Sequence, residues 1–127
     1  SGLAEGPAKE SIAQNLPGND TVVRIWLSQR GVLARTHLDR DNNVLCQVLG
    51  HKHVAVWPPS AWASLHPFPA VHSAHRQSQV SPRQPGLGLQ PRPALARLGP
   101  GDCLFIPAFW PHAALSRTAS ASVATFS

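Results

Sequence analysis

Methionine is absent from the 127 residues and the chain opens at Ser1, so it reads as a piece of a longer protein. Long apolar runs are missing too. None approaches the ~20 residues a spanning helix needs, and no charged start with an apolar core marks a signal peptide. The expectation is an intracellular chain, cytoplasmic or nuclear, with no membrane partner. Cysteine is scarce: Cys46 and Cys103 cannot build the disulfide framework of a small secreted domain. Both sit in apolar stretches and read as small buried hydrophobes. Charged residues make up only 13% against 43% hydrophobic, which excludes a highly charged disordered tail. Acidic residues vanish between Asp41 and Asp102, a stretch that holds Lys52, Arg76, Arg83, Arg92, Arg97 and five of the seven histidines. With a formal net charge of +5, this stretch either attracts nucleic acid or an acidic protein, or is a solvated basic loop. Aromatic residues are absent between Phe68 and Phe105, so the basic stretch lacks the side chains that stack exposed bases.

Proline and glycine are what the chain has in quantity, 13 and 9 residues, and they argue for short strands joined by turns rather than helices. Residues 1–20 are small, polar and Gly/Pro-punctuated, and read as an N-terminal tail or linker. Residues 21–127 read as one domain. Thr21–Leu27, Val32–Asp39, Val44–Leu49 and Lys52–Trp57 are strand-like, and Gly50-His51 has the form of a tight hairpin joining the last two. Residues 60–98 keep no sustained period and form a long loop, of the kind that is usually functional or disordered. Cys103–Ile106 and Ser122–Phe126 resume the strand pattern. The class is all-β, a small barrel or sandwich.

Two places carry chemistry. In a strand, residues i and i+2 share a face, so His37 and Asp39 would project together into a barrel interior. A histidine and a carboxylate are two thirds of the facial triad that holds Fe(II) with open positions, although an isolated His-x-Asp is better explained as a surface strand pair. The second place is the run from Gly99 to His112: a turn, an apolar strand, a proline and then a histidine.

That run resembles the closing motif of the JmjC, cupin-like family of 2-oxoglutarate-dependent oxygenases, G-x-G-D-x-L-x-I-P-x-x-W-x-H. Asn43, Gln47, Gly50 and Lys52 match the family's N-x-x-x-Q-x-x-G-x-K run after its His-x-Asp. Pro58-Pro59 and His66-Pro-Phe-Pro69 match its P-P…Y-P-x-P step, with His66 in place of the tyrosine. Arg76-Gln-Ser-Gln-Val80 resembles a run in the family's asparaginyl hydroxylase that modifies hypoxia-inducible factor. Thr36-His37-x-Asp39 also resembles the hydroxylase of the tRNA wybutosine pathway. The resemblance covers roughly residues 24–126 and implies a double-stranded β-helix core, of the cupin or jelly-roll kind, here incomplete or fragmentary. It implies His37, Asp39 and His112 as ligands of Fe(II), with 2-oxoglutarate as co-substrate alongside O2. Lys52 would hold the remote carboxylate, with Asn43 nearby and Thr36 and Trp110 lining the pocket. Only two of the eleven cationic residues are lysines, so a rare Lys stands at the family's anchor position. The chain departs from the pattern at Ala34, where the asparaginyl hydroxylase has a hydroxyl, and at Ala124, where relatives often have Asn.

The reading is an Fe(II)/2-oxoglutarate dioxygenase that hydroxylates a side chain of a protein or peptide substrate. Hydroxylation of a modified tRNA base and lysine demethylation are the alternatives with the same metal chemistry. A non-catalytic cupin-like binding module is the alternative outside enzymes. The remaining histidines, His51, His53, His66, His72 and His75, read as solvated loop residues.

Overall fold

The computed structural model describes residues 9–15, 20–80 and 92–127. Arg83 of the basic stretch lies outside them. Among the described residues the chain forms β1 (Lys9–Asn15), β2 (Val22–Ser28), β3 (Leu33–His37), β4 (Asn43–Leu49) and β5 (Lys52–Val56). A 3-10 helix (Pro59–Leu65) follows, then β6 (Ala94–Leu98), β7 (Cys103–Ile106), β8 (His112–Ser116) and β9 (Ser120–Phe126). All pairings are antiparallel, in two sheets ordered β1-β2-β9-β4-β7 and β3-β8-β5-β6. From β2 to β5 and from β6 to β9 successive strands alternate between the sheets, the winding of a double-stranded β-helix.

Between the sheets Leu45, Val54, Leu98, Ile106, Ala124 and Phe126 form the core, with Trp26, Val56 and Trp110 packed against it. Each fully buried side chain such as Val54 or Ile106 stabilises the fold by about 1.5–3 kcal/mol. A second cluster lies outside the four-stranded sheet, where Ala61 and Leu65 of the 3-10 helix cover Ala113 and Trp57. The opposite face of the five-stranded sheet keeps Val44, Val48 and Phe105 exposed, which is why β4 reads as a nearly unbroken apolar run.

Several expectations need correction. Lys52–Trp57 does not fold back on Val44–Leu49: β4 and β5 lie in different sheets. Gly50, at φ +71°, steers the chain across, and a Cβ there would collide with the Ala119 carbonyl oxygen and Thr118 Oγ1. Strand β1 lies within the stretch read as a tail; it is an edge strand recruited by the β2 ladder, which composition does not signal. Strand β6 and the 3-10 helix fall inside the stretch read as a loop, and β8 falls where no strand was expected. Ala-Leu-Ala-Arg-Leu and His-Ala-Ala-Leu-Ser have weak β propensity, and both are strands because they flank β5. The Val32–Asp39 strand ends at His37, with its register broken between Ala34 and His37. The cysteines are not separate buried hydrophobes. They occupy opposed positions on β4 and β7 and form a disulfide, with Cys46 half-buried and Cys103 exposed.

Candidate metal centre

His37 ends β3 and His112 begins β8, and the ladder between these strands sets them opposite each other. Their ring centroids are 4.3 Å apart. Asp39 comes to them by another route than strand alternation. Past the end of β3, the Leu38 N–H donates to the Arg76 carbonyl at 3.0 Å, and the Asp39 carbonyl accepts from the Phe109 N–H at 2.8 Å. The Ala108 N–H donates to Asn42 Oδ1 at 3.0 Å, a further stitch between this segment and the β7–β8 connection. Phe109 adopts φ 64°, a left-handed conformation costing a non-glycine residue about 1–2 kcal/mol. Such strain is typical where surrounding structure over-determines a functional turn.

The carboxylate atom Asp39 Oδ2 lies 3.7 Å from His37 Nε2 and 3.4 Å from His112 Nε2. One ligand atom from each residue lies within 4.8 Å of the others, and the described residues contain no other such group of three or more. Each ring is oriented from behind. His37 Nδ1 donates to the Arg35 carbonyl at 2.7 Å, and His112 Nδ1 donates to the Trp110 carbonyl at 2.9 Å. A carbonyl only accepts, so the proton sits on Nδ1 and both Nε2 atoms turn towards Asp39, the arrangement of metal-binding histidines. Burial, then the neighbouring His112 charge, lowers the His37 pKa, which favours the neutral ligand form. Burial works against ionising Asp39, but the hydrogen bond that His112 Nε2 donates when that ring is protonated, with the charges of protonated His37 and His112 and of Arg76, outweighs it and holds the Asp39 pKa below the usual value. Two imidazoles and an ionised carboxylate on one side of a space fit a divalent first-row metal with positions left open.

Lys52, at the start of β5, points into the same interior and is 5% exposed. Its Nζ donates to Ser122 Oγ at 2.8 Å, and Ser122 Oγ donates to Gln47 Oε1 at 2.7 Å. No carboxylate among the described residues lies within ion-pair distance of it. Desolvation lowers its pKa to about 8. Val56 pairs with His112 and Lys52 with Ser116, so the lysine backbone stands four residues, about 13 Å, along the strand from the triad. A long lysine side chain and a five-carbon diacid can span that separation. A buried cation without an anion fits an acidic ligand.

The other expected residues are placed as follows. Asn43 is buried and its Oδ1 has no hydrogen-bond partner among the described residues. Thr36 is buried, its carbonyl accepting from the Ser78 N–H. Trp110 packs on the core and positions His112 through its carbonyl. The recess outside the triad is lined by His37, Leu38, Asp39, Ser73, Ala74, Arg76 and Gln77, so neither Thr36 nor Trp110 lines it. Ser122 is the residue that sequence reasoning missed. Its signal was there: β9 alternates buried Ser120, Ser122, Ala124 and Phe126 with half-buried Ala121, Val123 and Thr125, placing hydroxyls inside.

The family model described as a cupin-like domain matches residues 5–126. The chain belongs to the cupin-like domain family. Lysine-specific demethylase JMJ31 of Arabidopsis thaliana is 36% identical to this cupin-like chain over 97 residues, covering 71% of the chain and 18% of that protein. tRNA wybutosine-synthesizing protein 4 of Emericella nidulans is 41% identical over 105 residues, covering 80% of the chain and 9% of that protein. The chain thus spans about a fifth or less of the length of these curated relatives. The fold is shared with the ribosomal oxygenase YcfD from Escherichia coli, solved with cobalt and 2-oxoglutarate, at a TM-score of 0.56 and 21% identity over 83% of this chain and 23% of that one. No helix among the described residues is long and apolar enough to cross a membrane.

Proposed function

We propose that this cupin-like chain carries the catalytic core of an Fe(II)- and 2-oxoglutarate-dependent oxygenase that hydroxylates a protein side chain. The observation that carries the reading is the convergence of His37, Asp39 and His112 on one side of a barrel whose interior also holds the unpaired cation Lys52. The metal, with 2-oxoglutarate and O2, would supply the oxidising power for C–H hydroxylation as the co-substrate is decarboxylated to succinate. The protein's part is positional. The Arg35 and Trp110 carbonyls hold the two imidazoles, the Phe109 N–H holds the Asp39 backbone, and Lys52, its Nζ placed by Ser122 Oγ, would receive the remote carboxylate. The packed interior would exclude water around such an ion pair and so strengthen it.

Hydroxylation of an unmodified side chain is favoured over demethylation of a methylated lysine by the recess. It presents Arg76, Gln77 and Ser73, with no Phe, Tyr or Trp among its lining residues. A methyl-ammonium group is held by aromatic faces and repelled by a guanidinium. Hydroxylation of a modified tRNA base is the second reading, supported by the similarity to the wybutosine-synthesizing protein. The test is succinate formation from 2-oxoglutarate by the purified chain, titrated with Fe(II) under controlled O2. Iron-dependent succinate that disappears in His112→Ala is the expected result. Absence of iron-dependent turnover would leave a binding module in place of an enzyme. A mass gain of one oxygen on a peptide, against one on tRNA, separates the two substrate readings.

A further inference from the structure

The four-stranded sheet ends on β6, whose one partner among the described residues is β5. In an antiparallel sheet each residue sends its N–H and C=O to the same side, and successive residues alternate. The Arg117 N–H donates to the His51 carbonyl and the Trp57 N–H to the Pro111 carbonyl. His51, His53, Ala55 and Trp57 therefore bond towards β8, and Lys52, Val54 and Val56 bond towards β6 through Leu98, Ala96 and Ala94. Leu95 and Arg97 are left with both backbone groups directed away from the sheet. Neither joins a backbone hydrogen bond beyond the ladder among the described residues. Leu95 is also 76% exposed. Natural edge strands are often blunted by proline or by charged side chains, and Ala94–Leu98 has no proline and a single charge, Arg97.

The same alternation sets the charge on this edge. Arg97 and His53 are cross-strand partners on the outer face, and one step further along lie His51 and Arg117, opposite each other. Burial and the charges of Arg117, Arg97 and His51 lower the His53 pKa and favour its neutral form, so the fixed cations of this face are Arg97 and Arg117. Asp102 lies beyond the strand end, where its carboxylate accepts from the Gly99 N–H at 2.9 Å. A strand edge that is unpaired among the described residues and carries exposed Arg97, with exposed Arg117 on the same face, is complementary to an extended chain of alternating acidic and apolar residues.

We propose that β6 is a docking edge at which an extended acidic segment of a partner protein adds as a fifth strand, with backbone bonds to Leu95 and Arg97 and acidic side chains over Arg97. The test is fluorescence anisotropy of the 127-residue chain with a fluorescein-labelled alternating Glu-Val decapeptide. Binding that weakens with salt is expected, together with at least a tenfold loss in Leu95→Pro and in Arg97→Glu. Proline at position 95 spares the ladder, because that N–H faces away from β5. Co(II) absorption at the triad reports that each variant is folded, and Arg97→Glu still decides the matter if the proline disturbs the strand. The proposal is overturned by no binding, by equal binding of an alternating Lys-Val peptide, or by unchanged affinity in Arg97→Glu. It is also overturned if a single-stranded RNA binds more tightly and loses affinity in Arg97→Glu but not in Leu95→Pro, since the face would then read phosphates and not a strand.

Discussion

Replacing Lys52 by methionine should make the folded chain more stable and the site less able to hold a diacid. The lysine is buried and lacks an anion, and its pKa falls to about 8 from the usual 10.5. At about 1.36 kcal/mol for each pH unit, that gap is a cost of about 3 kcal/mol carried by the folded state at pH 7. Because the folded pKa lies below the unfolded one, the unfolded chain holds the proton more tightly between pH 8 and 10.5. Stability is therefore lowest below pH 8 and recovers as pH rises through that window. Methionine fills a similar volume without a charge, and loses the bond to Ser122 Oγ, worth about 1 kcal/mol. The net expectation is a gain of about 2 kcal/mol at pH 7, vanishing and then reversing towards pH 10.5. Urea denaturation of both proteins across pH 7 to 10.5 measures it. Binding of 2-oxoglutarate by the metal-loaded protein should weaken on the order of a hundredfold, the effect of leaving a buried carboxylate unpaired. A variant less stable than the parent at pH 7, or parallel pH profiles for the two, would refute the reasoning.

Three other outcomes are expected. His37→Ala, Asp39→Ala and His112→Ala should each abolish stoichiometric Fe(II) binding under anaerobic conditions while circular dichroism stays unchanged, and retained affinity in His112→Ala would remove the third ligand from the assignment. Gly50→Ala should cost more than about 2 kcal/mol in chemical denaturation, because a left-handed φ and a backbone collision with Ala119 act together. Reducing the Cys46–Cys103 bond, which closes 57 residues, should lower stability by up to about 4 kcal/mol while leaving metal binding intact, as melts with and without dithiothreitol would show.

Much of the candidate metal centre is legible one residue at a time. A histidine two positions before an aspartate, a second histidine behind a turn, strand and proline, and a rare lysine after Gly50 are local patterns, and the fold brings the first three together. The all-β class follows as directly from the prolines, the glycines and the short apolar runs. Two features that were present in the pattern were read too simply. The serines of β9 alternate with apolar residues, which marks an interior with a polar end, and the opposed cysteines only look like hydrophobes while their partner strand is unknown.

What the sequence determined by itself was the strand-forming runs around the core, the order of the chemical groups and the residue types that could hold a metal, because each depends on near neighbours and on side-chain chemistry. Tertiary structure alone decided which strands pair. Gly50 leads into a crossing between sheets and not a hairpin, and weak formers such as Ala94–Leu98 and His112–Ser116 become strands beside β5. It also decided how Asp39 reaches the histidines, through the Phe109 N–H and not through strand alternation. The reason is common to all three. Strand propensity and period are set by a few adjacent residues, whereas ladder partners are chosen by which faces close the core, and those partners lie far along the chain.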